Sequence, residues 1–249
     1  MGYLTPLLTP FLVACGSALV LTPLCRLAAL RLGMLDRPGG KKIHAHPTPL
    51  LGGPAIALAH AAGVLASGPV EQVSATILVA GGLILLLGIH DDVDPHAEGV
   101  RWWLRLVFQG FLAVFVIYPG ITLGFLRTPW LSLPVTFLWI VGITNAFNLL
   151  DNMNGLSGGI AAIAGLTFAV LAARYVDVGP EQMPTARAAA ALAGACLGFL
   201  PSNFRSQIFM GDAGSLFIGF TLACLAALGS WKSPTVPTSV VIPLLVLAY

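Results

Sequence analysis

Four polar clusters interrupt a chain that is otherwise apolar, and each carries residue types suited to handling phosphate or a divalent cation. In GIHDDVDPHAEG (88–99) the adjacent carboxylates Asp91 and Asp92 repel each other unless a cation or a magnesium ion lies between them. In NAFNLLDNMNGLSGG (145–159), Asn145, Asn148 and Asp151 recur at intervals of three, with Asn152 four positions beyond Asn148, so a helix aligns them as one polar stripe. In NFRSQIFMGDAGSLFIGF (203–220), Asp212 follows Gly211 and precedes Gly214, which lets backbone approach one carboxylate closely. DRPGGKKIHAHPTPLLGG (36–53) supplies the opposite charge through Arg37, Lys41 and Lys42, with His44 and His46 beside them, in a segment that Pro38, Gly39 and Gly40 mark as a turn.

Each cluster has a plainer explanation. The basic segment could anchor on lipid head groups, and the acid pair could sit solvated at a helix end. The asparagine stripe could lock two helices together. Asp212 could open a helix, with Ser215 as a cap. The conjunction is harder to explain this way, because all four clusters fall in alternate connections and so on one side of a helix bundle.

The elements that must position them are membrane helices. The chain has 249 residues and 25.9 kDa, with 57% hydrophobic residues, only 9% charged residues and a mean hydropathy of +0.90. Soluble domains carry roughly a quarter charged residues, so this chain cannot coat a water-facing surface. Its glycines and prolines show no three-residue period, which excludes a collagen-like fibre. A net charge of +2, without a basic stripe or zinc spacing, argues against nucleic-acid binding. Cys15, Cys25, Cys196 and Cys224 lie in or beside apolar runs with no CxxC pair, and read as small hydrophobes. The fold class expected is an all-α, polytopic transmembrane bundle forming a single domain over 1–249. Apolar runs cover 4–30, 50–68, 73–90, 103–120, 131–150, 158–174, 187–202 and 214–230, and a ninth starts near Val236 and is incomplete at Tyr249. His60, alone in the second run, reads as an interhelical hydrogen-bonding residue.

Alternate connections share a side. Arg26, Arg31, Arg37, Lys41, Lys42, Arg101, Arg105 and Arg205 group on one, against Arg127, Arg174, Arg187 and Lys232 on the other. The positive-inside rule places the first group in the cytoplasm and the N-terminus outside. The acids sort the same way, with Asp36, Asp91, Asp92, Asp94, Glu98, Asp151 and Asp212 on the cytoplasmic side. Acids do not set topology, so a reaction centre at that face is the expected cause.

Oxygen ligands of this kind suit Mg2+, with Mn2+ as an alternative, and no zinc signature is present. Asp212 is the foremost ligand candidate, with Asp92 and Asp151 near it and a basic wall from Lys41, Lys42 and Arg205. Metal and cations together answer the charge problem of phosphoryl transfer, and the membrane setting points to a lipid partner. A phosphate monoester acceptor is already largely ionised at pH 7, so positioning and electrostatics should outweigh proton removal.

In order along nearly the whole chain, DRPGGKKIHAHPTPLLGG, GIHDDVD, NAFNLLDNMNGL and NFRSQIFMGDAGSLFIG resemble the polyprenyl-phosphate N-acetylhexosamine-1-phosphate transferase family of glycosyltransferase family 4. The resemblance implies transfer of a sugar-1-phosphate from a UDP-sugar to undecaprenyl or decaprenyl phosphate with release of UMP, initiating cell-envelope glycan assembly. It implies catalytic roles for Asp91, Asp92 and Asp151, magnesium ligation by Asp212, and substrate contacts from Lys42, His44, Asn148 and Asn203, to which the charge argument adds Asp92 as a ligand and Lys41 and Arg205 as contacts. The implied partners are UDP-sugar, polyprenyl phosphate, membrane lipids and a second copy in a homodimer, at the inner membrane of a bacterial cell with the active face cytoplasmic. Two departures stand out. Asn154 replaces a carboxylate that relatives using UDP-N-acetylglucosamine commonly carry, and Asp94 lies two positions after Asp92 where relatives space a third acid by three. Family members also continue for further helices, so the expectation is a C-terminally truncated chain. A transporter using the Asp151 stripe as an ion site, or a non-catalytic paralogue, are the competing readings.

Overall fold

The computed structural model describes residues 4–36, 47–93, 101–124, 128–177, 179 and 182–229. Eight helices make up nearly all of it: α1 (Thr5–Leu32), α2 (Gly52–Ala66), α3 (Gln72–Val93), α4 (Trp102–Ile117), α5 (Pro129–Leu150), α6 (Leu156–Arg174), α7 (Gln182–Phe204) and α8 (Gly211–Leu228). The molecule is a multi-pass helical membrane protein. Six of the eight helices are long and apolar enough to cross a bilayer, whereas α2, with 15 residues, and α4, with 16, fall short of that length. The expected ninth run lies outside the described residues. Among the described residues the one sheet is a two-stranded antiparallel ladder, β1 (Leu35–Asp36) with β2 (Thr48–Pro49), which pairs Leu35 with Pro49 and Asp36 with Thr48.

The bundle is organised around α7 and α8. From Ala213 to Ala227 every residue of α8 is buried, and α7 buries an alanine-rich run from Ala188 to Ala191. Lipid tails are as apolar as leucine, so helices associate by close packing of small residues and by polar contacts. Leucines therefore cover the outside as well as the core: Leu12, Leu19 and Leu27 on α1 and Leu138 on α5 are all more than half exposed. Pro10, Pro23, Pro134 and Pro201 lie inside helices without ending them.

One end of this bundle is tied together by backbone. The Gly52 and Gly53 amides donate to the carbonyls of Phe209 and Met210, each at 3.0 Å, and the Phe209 amide donates to Pro49 at 2.8 Å. The connection after α1, the start of α2 and the start of α8 thus share one rim. Gly88 of α3 seats there too, since a Cβ at that position would overlap the Ala213 backbone.

Candidate active site

Four helix ends meet at this rim. Asp91 and Asp92 end α3, Arg105 lies in the first turn of α4, Asn148 in the last turn of α5, and Asp212 and Ser215 in the first turns of α8.

Arg105 is the hub. Its Nη2 lies 2.6 Å from Asp91 Oδ2 and 2.9 Å from Asp212 Oδ2, and its Nη1 donates to Asn148 Oδ1 at 3.3 Å. Asn148 Nδ2 in turn donates to Asp212 Oδ1 at 2.9 Å and to Ser215 Oγ at 3.0 Å. The Asp91 side chain is only 4% exposed, while that of Asp212 is 37% exposed and accessible to a ligand. Asp92 points along a different line. Its Oδ1 accepts the Asp212 amide at 2.9 Å and its Oδ2 accepts the Ala213 amide at 3.1 Å, so it serves as a carboxylate cap on the positive end of α8. Gly211 makes room for it: the residue has φ +68°, and a Cβ there would collide with the Asp92 carboxylate.

Asp151 follows α5 directly. Burial, with the negative charge of Asp212 as a second cause, pushes its carboxyl up to about 7. Asn203, expected to contact substrate, is engaged with backbone in the fold. It is buried, its Oδ1 accepts the Gly155 amide at 2.7 Å, and its Nδ2 donates to the Ile208 carbonyl at 3.0 Å. Both ends of the amide are engaged in tying the α5–α6 turn to the segment between α7 and α8. Asn154 reinforces the same tie by donating from Nδ2 to Ser206 Oγ at 2.7 Å. Arg205 is exposed in that segment. Lys41, Lys42 and His44 lie outside the described residues, as does Asp94.

Sequence reasoning counted Arg105 only as a topology marker and passed over Gln109. The available signal was their spacing: two polar residues four apart on an otherwise apolar helix share a face, and a membrane helix turns such a face inward.

Beside Arg105 opens a cleft of about 740 Å³ between α4 and α5. Its walls mix apolar side chains, Trp102, Trp103, Leu106 and Leu149, with Arg101, Arg105, Asn145 and Asn148. Trp102 and Leu149 are about three-quarters exposed, so the apolar wall faces outward from the bundle while the polar wall leads to Asp212.

A family model described as Glycosyl transferase family 4 matches residues 74–230, more than half of the chain and every described residue of this cluster. The chain belongs to glycosyl transferase family 4. Among its relatives, a probable undecaprenyl-phosphate N-acetylglucosaminyl 1-phosphate transferase of Bacillus subtilis is 36% identical over 248 residues, covering 95% of this chain and 66% of the relative. A decaprenyl-phosphate N-acetylglucosaminephosphotransferase of Mycobacterium tuberculosis is 32% identical, covering 80% of this chain and 54% of the relative. A phospho-N-acetylmuramoyl-pentapeptide-transferase of Heliobacterium modesticaldum is 34% identical, covering 88% and 73%. The family 4 chain thus spans between about half and three-quarters of the length of these relatives.

The donor set fits magnesium. Among the described residues no three His, Cys, Asp or Glu side chains group into a ready metal cage. Magnesium does not need one, since it commonly takes one or two carboxylates and completes its shell with water and substrate phosphates. Asp212, partly open, with Oδ1 held by the Asn148 amide nitrogen and Oδ2 paired with Arg105, could serve as one such carboxylate.

Proposed function

We propose that this protein transfers a sugar-1-phosphate, of the N-acetylhexosamine type, from a UDP-sugar to a polyprenyl phosphate, releasing UMP and initiating a cell-envelope glycan. The observation that carries this reading is the junction of an apolar-walled cleft with the Arg105–Asp212–Asn148 cluster at one rim of a membrane bundle. A polyprenyl phosphate has that same division, an apolar tail and an anionic head. Its tail would lie against Trp102, Leu106 and Leu149, and its head would meet Arg101 and Arg105.

Asp212, with Asp151 nearby, would hold Mg2+, which when bound neutralises the phosphate oxygens that must approach each other. The other roles belong to the chain's own groups. Arg105 carries a fixed positive charge to the cleft wall, and Asp91 holds that guanidinium from the buried side. Asn148 orients the Asp212 carboxylate by donating to Oδ1. Asp92 fixes the first turn of α8, and hence the place of Asp212, by capping two of its amides. Lys41, Lys42, His44 and Arg205 would contribute the remaining cationic contacts to the nucleotide diphosphate. Cytoplasmic UDP-sugar requires the cluster on the cytoplasmic face of the plasma membrane; together with the charge asymmetry of the connections, this supports an external N-terminus.

The test is UMP release from a panel of UDP-sugars with undecaprenyl phosphate, in nanodiscs, with and without EDTA. The expected result is lipid- and magnesium-dependent UMP. Uptake of a solute without chemical change would favour a transporter, and magnesium binding without turnover on any donor would favour a non-catalytic paralogue.

A further inference from the structure

One buried polar contact lies just beyond the cluster and has no part in the roles assigned above. Gln109 of α4, 1% exposed, faces Asn145 of α5 in a reciprocal amide pair. Asn145 Nδ2 donates to Gln109 Oε1 at 2.5 Å, and Gln109 Nε2 donates back to Asn145 Oδ1 at 3.4 Å. The same Asn145 Nδ2 also donates to the Val141 carbonyl at 2.8 Å, which fixes its rotamer from within α5.

Gln109 stands four residues after Arg105 and Asn145 three residues before Asn148, so both pairs lie on the same facing sides of α4 and α5. Together they form two polar rungs, Arg105 with Asn148 at the rim and Gln109 with Asn145 one turn deeper. The opposite face of α4 carries Val107, Phe111 and Val114, all more than half exposed. Lipid solvates such a face as well as protein does, so apolar contact there does not fix how far the helix is rotated or how deep it sits. The deeper rung does.

We infer that Gln109 is a positioning residue, which through Asn145 sets the rotation and depth of α4 and so aims Arg105 at Asp91 and Asp212. It touches no reacting group itself. A helix turns 100° and rises 1.5 Å per residue, whereas the contacts of Arg105 with the two carboxylates, at 2.6 and 2.9 Å, tolerate only a few tenths of an ångström. The inference rests on the proposed transfer reaction only for its kinetic arm.

The first measurement is independent of activity. Thermal melting of the protein in nanodiscs, with Arg105→Gln, Asp212→Asn and their combination, gives the coupling between these two residues. Repeating the cycle in a Gln109→Leu background should cut that coupling by at least half. Where Gln109→Leu alone does not fold, Gln109→Leu with Asn145→Leu removes both amides, leaves no buried group unpaired, and carries the same cycle. In the kinetic arm, Gln109→Leu should lower kcat for UMP release about tenfold while KM for the UDP-sugar moves less than twofold. The exchanged pair, Gln109→Asn with Asn145→Gln, should recover most of both losses. Undiminished coupling in the leucine background, or an exchanged pair no better than Gln109→Leu, overturns the inference. A wild-type protein that releases no UMP would count against the proposed reaction, and the melting cycle would still decide the role of Gln109.

Discussion

Arg105 holds Asp91 and Asp212 together with one guanidinium nitrogen, yet the two carboxylates differ in what surrounds them. Asp91 is enclosed and balances the arginine, and Asp212 is open enough to take a further cation. Asp212→Asn keeps the side-chain shape and leaves Arg105 paired with Asp91, so the fold should survive. Loss of the charge should lower UMP release on the order of a hundredfold, measured at a temperature where a melting curve shows the variant still folded. Asp151 offers a pH-dependent readout. Its carboxyl titrates near 7 in the fold and near 3.9 in an unfolded chain. The folded state therefore holds a proton that the unfolded state has lost between these values. The stabilisation is complete below about pH 4 and disappears as pH rises through 7. Melting of the metal-free protein should fall across that window, and Asp151→Asn should flatten the slope; an unchanged slope would remove burial of this carboxyl as its source.

The ends of elements carry the chemistry, and their meeting depends on how closely α3 can approach α8. Gly88 is one place where they touch, with Ala213 occupying the place of its missing Cβ. Gly88→Val should force the helices apart, lower stability by about 1–3 kcal/mol through overpacking, and weaken the Asp92 cap one turn away. A melting curve checks the first effect, and loss of UMP release at a temperature where the variant remains folded checks the second. These approaches mark the limit of what the sequence could reveal. Carboxylates at the margins of apolar runs are conspicuous, so Asp91, Asp92, Asp151 and Asp212 were legible, as was the helical architecture. The partner of each was not. Asp92 caps amides 120 and 121 residues away, and no local spacing encodes that. Span limits drifted for a related reason: α7 begins at Gln182, earlier than the apolar run, because Gln182 and Thr185 are buried by packing and not by hydrophobicity. Only the family resemblance points to Asn203 as a substrate contact, and the fold is what shows both ends of its amide on backbone.

At the scale of the molecule, one rim gathers the C-terminal ends of α3 and α5 with the N-terminal ends of α4 and α8, and backbone bonds add the start of α2 and the connection after α1. The other end of α1, at Thr5, therefore belongs to the opposite rim. Geometry fixes this relation but is indifferent to which rim meets the cytoplasm, and the proposed reaction is not indifferent, because its nucleotide-sugar is a cytoplasmic solute. Labelling can join the two. In a background where Cys15, Cys25, Cys196 and Cys224 are replaced, Met153→Cys and Arg205→Cys sit exposed near the site, while Tyr118→Cys and Thr128→Cys sit exposed at the far end of α4 and the start of α5. An impermeant maleimide added to intact cells should modify the second pair and spare the first, and permeabilisation should expose the first. The reverse pattern would leave the helix bundle and its cluster intact but deprive the cleft of a UDP-sugar supply, and the transferase reading would fail with it.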